Sequence, residues 1–187
     1  MMFVDGENFS INGRKFLESK GIVMPEANSN WIPDVFLWHP LYANGRQRLP
    51  PFDSHALDHM AVRSHFYTSR AGDEPLRQAT REQIWTHDFQ PEVFRRDKNG
   101  KSKGVDIALA RDLLVHAFEG HFETAVLVAG DADYIPLVRE VKRRGRRVIL
   151  AFFASSAALS PLLKTEADSF VDLSVSFTEG WKHATKS

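Results

Sequence analysis

Apolar residues along this chain fall into two alternating rhythms, short unbroken runs and helical stripes. Residues 2–4 (Met2, Phe3, Val4), 125–129 (AVLVA) and 148–153 (VILAFF) are too short for amphipathic helices and suit buried strands. Helical spacing predicts a first helix over residues 10–19, ended by Gly21, with Ile11, Phe16 and Leu17 inward and Gly13 as its weak point. A second helix is predicted over 74–86, where Pro75 suits a first turn. A third covers 106–118, with Ile107, Ala110, Leu113, Leu114, Ala117 and Phe118 on one face. A fourth follows Asp133 and runs to about residue 144, with Tyr134, Leu137, Val138 and Val141 inward and Gly145 as its stop. Ser160-Pro161 reads as a cap followed by a first-turn proline.

Residues 61–68 alternate with period two, which predicts a strand nearer the sheet edge, and 92–96 and 169–173 are short further strands. Residues 53–60 suit a short helix. Residues 25–53 break both rhythms: Pro25, Pro33, Pro40, Pro50 and Pro51 forbid a long helix, while Trp31, Phe36, Trp38, Tyr42 and Phe52 argue against disorder. This stretch is read as an ordered insertion packed on the domain, a scaffold or a lid.

Strands alternating with helices imply an α/β fold, a mainly parallel sheet covered on both faces. Right-handed crossovers place every strand-to-helix turn on one edge of that sheet. One domain over residues 1–175 is expected, followed by a polar tail, 176–187, that contains Trp181.

Composition narrows the functions open to such a fold. The 187 residues are 43% hydrophobic and 26% charged, with 24 basic and 24 acidic side chains, so affinity for nucleic acid must come from local patches. The absence of cysteine excludes disulfides and thiolate zinc sites. No apolar run approaches the roughly 20 residues of a membrane span, and the start lacks a signal-peptide pattern. A cytoplasmic protein without membrane contact is the expectation.

Four carboxylates stand out: Asp5 and Asp131 after apolar strands, Asp133 in the next helical turn, and Asp106 at the start of a helix. Shared topology brings Asp5 and the Asp131/Asp133 pair to one rim. Their mutual repulsion calls for a cation, and hard oxygen donors select Mg²⁺ or Mn²⁺. Each also has a local explanation, since Asp131 suits a helix cap and Asp106 and Asp133 suit the positive ends of helices. Asp5 is read as the exception, because the Gly6-Glu7 turn does not obviously begin a helix.

Three motifs, FVDGENF (3–9), KGVDIALARDLL (103–114) and VLVAGDADYIPLV (126–138), resemble the NYN family of PIN-like ribonucleases, with the LabA-like group closest. RRVILAFF (146–153) and the segment ending ADSFVDL (167–173) are similar to that family's last strands. The resemblance implies a three-layer α/β/α PIN-like fold and metal-dependent cleavage of single-stranded RNA. It implies metal and catalytic roles for Asp5, Asp106, Asp131 and Asp133, a hydrogen-bonding role for Asn8 toward Asp5 or a water, and phosphate contact for Lys103. Tyr134 occupies a position that is usually aromatic in the family and is read as core.

The basic loop 95–104 lies just before Asp106, so Arg95, Arg96, Lys101 and Lys103 form an expected phosphate-binding rim. The basic cluster over 139–147 is read as a solvated helix end. His55 and His59, four apart, allow a metal site but suit ordinary surface residues better. Trp31 and Trp38 are read as packing residues before base-stacking ones. RNA is the expected partner, with a homodimer allowed. Two readings compete with the ribonuclease: a catalytically silent RNA-binding module, and a haloacid-dehalogenase-like phosphatase, which would want Asp where Glu7 stands.

Overall fold

The computed structural model describes residues 1–38, 63–97, 102 and 104–184. Its centre is a six-stranded, wholly parallel sheet. The strands are β1 (Met2–Asp5), β4 (Ser64–Arg70), β5 (Phe89–Arg95), β6 (Thr124–Val128), β7 (Arg147–Phe152) and β8 (Ser169–Asp172), in the order β5-β4-β1-β6-β7-β8. The chain starts in the middle, winds outward through β4 and β5, then returns and winds the other way. The reversal point therefore lies between β1 and β6, where open α/β sheets form a crevice at their carboxyl edge.

Helices cover both faces and complete the three layers. On one face lie α1 (Gly6–Ser19), α2 (Glu74–Trp85), the hairpin of β2 (Trp31–Ile32) and β3 (Phe36–Leu37), and α6 (Ser174–Ala184). On the other lie α3 (Val105–Phe118), α4 (Ile135–Arg143) and α5 (Pro161–Glu166). Among the described residues, no helix is long and apolar enough to cross a membrane.

Most predicted elements are present, and four readings need correction. First, α1 begins at Gly6 and not near residue 10, because the Asp5 carboxylate itself caps it by accepting from the Asn8 amide at 3.1 Å. Gly13 lies buried in this helix at a close approach: a Cβ there would sit 2.4 Å from Leu37 Cδ2. Phe16 and Leu17 point inward as expected, joined by Phe9, whereas Ile11 is only half-buried.

Second, β4 is one strand in from the sheet edge, but its period of two does not mark an exposed face. It lies between β1 and β5 and is buried on both faces, Phe66 and Thr68 on one side and His65 and Tyr67 on the other. Third, the inward face of α3 is Val105, Ala108, Leu109, Leu113 and Ala117, leaving Ile107 75% and Phe118 60% exposed. The helix is apolar nearly all round, so two overlapping stripes compete and packing on β1 and β4 selects one.

Fourth, residues 174–184 form a helix where a polar tail is expected. Leu173, Phe177 and Trp181 follow one another at a spacing of four, and the two aromatics are fully buried, Phe177 against Phe9 and Phe153. Burying two large aromatics is worth several kcal/mol in order of magnitude.

The described part of the 25–53 insertion is scaffold: Trp31, Ile32, Val35, Phe36, Leu37 and Trp38 are buried, and Thr68 Oγ1 donates to the Val35 carbonyl at 2.6 Å. Trp31 and Trp38 thus offer no exposed face for stacking a base. Residues 39–53, the helix predicted over 53–60, and His55 and His59 lie outside the described residues.

Candidate functional site

The carboxyl edge between β1 and β6 carries the acids. Asp5 ends β1 and is only 4% exposed. Its Oδ1 accepts from the Asn8 amide, and its Oδ2 accepts from the Tyr134 hydroxyl at 2.9 Å. Gly6 follows because nothing larger fits: a Cβ would sit 2.6 Å from the Tyr67 carbonyl oxygen and closer still to the Phe66 ring. Burial, opposed by the Asn8 hydrogen bond and reinforced by the nearby charge of Asp106, pushes the Asp5 carboxyl up to about 7.

Asp106 stands in the first turn of α3 without capping it. Gly104, at a φ of 102°, occupies the cap position, and Asp106 Oδ1 instead accepts from the same Tyr134 hydroxyl at 3.2 Å. Desolvation raises its pKa, and the charges of Glu7, Asp131 and Asp133 push the same way. Asp131 caps the short 3₁₀ turn Ala132–Tyr134 by accepting from the Asp133 amide at 3.0 Å, and both of these acids are exposed. The local explanations hold for Asp131, a cap, and for Asp106 in a first helical turn; the departure from expectation is Asp5, which is itself a cap.

The side chain of Asn8 does something other than hold Asp5. Its Oδ1 accepts from the Gly130 amide at 3.1 Å, tying the start of α1 to the turn that carries Asp131. That turn has no room to spare, since a Cβ on Gly130 would lie 2.5 Å from the Ala158 carbonyl oxygen. Asn8 is therefore a clamp between the two strand ends that flank the crevice.

Tyr134, read from sequence as core, is buried but also central to the site. Its hydroxyl offers one proton to two carboxylates, so the pair is satisfied only by a shared bond or by a second proton on one of the acids. Both acids and burial hold the phenol well above its ordinary range. The signal for this role was a hydroxyl-bearing aromatic directly after the acidic pair.

Glu7 was also missed. Its Oε1 accepts from Arg96 Nη2 at 2.8 Å and from Ser69 Oγ, and its Oε2 from Ser102 Oγ at 2.7 Å. Arg96 further donates to the carbonyl oxygens of Asp34 and Ser69. This half-buried network joins α1, β4, β5 and the loop before Asp106. Arg96 is therefore committed to the scaffold, while Arg95 is exposed. Lys101 and Lys103 lie outside the described residues. The 139–147 cluster is largely neutralised, with Arg139 on Glu166, Arg143 and Arg144 on Glu140, and Lys142 near Asp168.

Comparison with known proteins fits this arrangement. A family model, NYN domain, matches residues 1–174. The chain belongs to the NYN domain family. The family is a nuclease-type one whose members generally use divalent metals, and the three-layer architecture agrees with a PIN-like fold. An uncharacterised protein of Methanocaldococcus jannaschii is 27% identical over 96 residues, which is 51% of this NYN chain and 36% of that protein. The NYN chain thus spans about a third of that relative's length. A crystal structure of a protein of unknown function from Vibrio parahaemolyticus superposes with a TM-score of 0.57 at 17% identity, covering 94% of this chain and 93% of that one, a likeness of fold.

The residues present fit a hard divalent cation. Their donors are all oxygens, and buried Asp5 has only an amide and a shared hydroxyl to offset its charge. Among the described residues, no three of these carboxylates bring oxygens within 4.8 Å of one another.

Proposed function

We propose that this NYN domain is a divalent-cation-dependent endoribonuclease that hydrolyses phosphodiester bonds of single-stranded RNA. The observation that carries the reading is the incompletely neutralised pair, Asp5 and Asp106, sharing one hydroxyl proton at the sheet's reversal point. Asp5, Asp106 and Asp131 are the residues to hold Mg²⁺ or Mn²⁺, with Asp133 completing the acidic rim. When bound, the cation would offset phosphate charge and lower the pKa of an attacking water.

The chain's own residues do the rest. The Asn8 side chain fixes the Gly130 turn, and with it the separation of Asp131 from Asp5. Tyr134 orients both Asp5 and Asp106 and keeps their oxygens from swinging apart. Glu7 anchors Arg96 and accepts from Ser102, holding both residues against the start of α1. Arg95 at the end of β5, with Lys101 and Lys103, would meet RNA phosphates; Arg96, already paired, is withdrawn from that set. The Glu7–Arg96 pair also weakens the phosphatase reading, which needs a second free acid two residues after Asp5.

The test is incubation of the purified chain with fluorescent single-stranded RNAs in Mn²⁺ or Mg²⁺, beside Asp5→Asn and Asp131→Asn. Cleavage by the wild type alone is expected, abolished by EDTA. RNA binding that survives EDTA and yields no product with any of the RNAs would leave the silent RNA-binding module instead.

A further inference from the structure

The opposite edge of the sheet carries a second cluster that the nuclease reading does not use. The sequence HAFEGH ends α3 and turns toward β6. Gly120, at a φ of 73°, reverses the chain, and the His121 amide returns to the His116 carbonyl at 3.0 Å. This turn stacks three side chains. His116 Nδ1 and His121 Nδ1 lie 2.8 Å apart, and His121 Nδ1 lies 3.4 Å from Glu119 Oε2. Among the described residues, these three form the one group whose imidazole and carboxylate ligand atoms all fall within 4.8 Å of one another.

We propose that His116, Glu119 and His121 form a binding site for Zn²⁺, or a similar borderline first-row cation, distinct from the acidic rim. Ligands at about 2.0–2.1 Å around tetrahedral zinc lie about 3.3 Å from each other. The Glu119–His121 separation already matches, the two imidazoles would part by about half an ångström, and the His116–Glu119 pair lies within 4.8 Å.

The donors are of the right kind. Two imidazoles and a carboxylate favour zinc, whereas the oxygen-only rim favours Mg²⁺ or Mn²⁺.

His116 is also held in place. Its ring packs against Phe3 at 6.1 Å and against His65 at 5.6 Å between centroids. Buried His65, stacked on Phe3, backs the His116 ring from the sheet side. Three ligands within six residues leave the fourth position to water. A bound ion would pin the end of α3 to the entry of β6.

Calorimetric titration of the tag-free, EDTA-stripped full chain with Zn²⁺, followed by Co²⁺ visible absorption, tests this. One equivalent is expected on the wild type and on Asp5→Asn, with His121→Ala and Glu119→Gln each weakening binding at least about tenfold. These exposed positions leave the core intact, which circular dichroism would verify. An absence of Zn²⁺ binding by the folded wild type, or equal binding by His121→Ala, would overturn the site. So would loss of binding in Asp5→Asn, which would place the ion on the acidic rim.

Discussion

The two ends of α3 carry opposite chemistries. Asp106 in its first turn belongs to a rim of carboxylates, and His116 in its last turn belongs to a cluster of imidazoles, about 15 Å away along the helix. At the first end the fold makes the site. Strand reversal between β1 and β6 opens the crevice, and any residue ending those strands faces it. At the second end the fold supplies only a helix stop, and the ligand set depends on three side chains around Gly120. Burial differs as sharply: Asp5 is enclosed, while Glu119 and His121 face solvent.

The strongest way to break this comparison is Asp5→Asn. Cleavage of single-stranded RNA is expected to fall roughly 10³-fold, the several kcal/mol that charge placement at such a centre supplies. Zinc titration at the far edge should not change. Loss of zinc binding by a folded Asp5→Asn would instead place that ion on the acidic rim.

Next in size is stability against pH in EDTA, where the two ends titrate in opposite senses. The Asp5 carboxyl is raised from 3.8 to about 7 in the fold, so the folded state holds the extra proton. Its contribution is complete below pH 3.8 and is lost as pH rises through about 7, up to about 4 kcal/mol at about 1.4 kcal/mol per unit. Asp5→Asn should therefore raise the urea midpoint at pH 8 and lose that advantage near pH 4. His65 behaves in reverse. Burial lowers its pKa, so its contribution is complete above 6.5 and declines as pH falls below that value. His65→Phe, which keeps the stacking with Phe3, should flatten the loss below pH 6.5.

Tyr134→Phe sharpens the acidic end alone. Removing the shared proton leaves two carboxylates facing each other, at a cost of about 1–3 kcal/mol in urea unfolding at pH 8. An unchanged midpoint would show that the hydroxyl bridges nothing. The smallest effect is expected from Arg95→Ala, which should reduce the salt dependence of RNA binding by about one counterion. Arg143→Ala, at a residue already paired with Glu140 one turn back on α4, should leave that slope unchanged.

Much of the fold was legible because unbroken apolar runs and strand–helix alternation leave few topologies. The misreading of two positions on α3 had a physical cause, since Ile107 and Phe118 are as apolar as the residues that pack. The α6 stripe at 173, 177 and 181 was present in the sequence but diluted by Ser, Thr, Glu and Lys. At the site, the identities of the acids were readable from their places after apolar runs. Their relations were not. That one hydroxyl serves Asp5 and Asp106, or that Glu7 pairs with Arg96 across 89 positions, depends on how α1, β5 and the 3₁₀ turn converge.

Anomalous diffraction from crystals soaked in Mn²⁺ tests the central claim most directly. The account predicts a manganese peak within coordinating or water-bridged reach of Asp5, Asp106 and Asp131. Clear density for those three side chains with no peak among them, or a peak confined to His116 and His121, would contradict it.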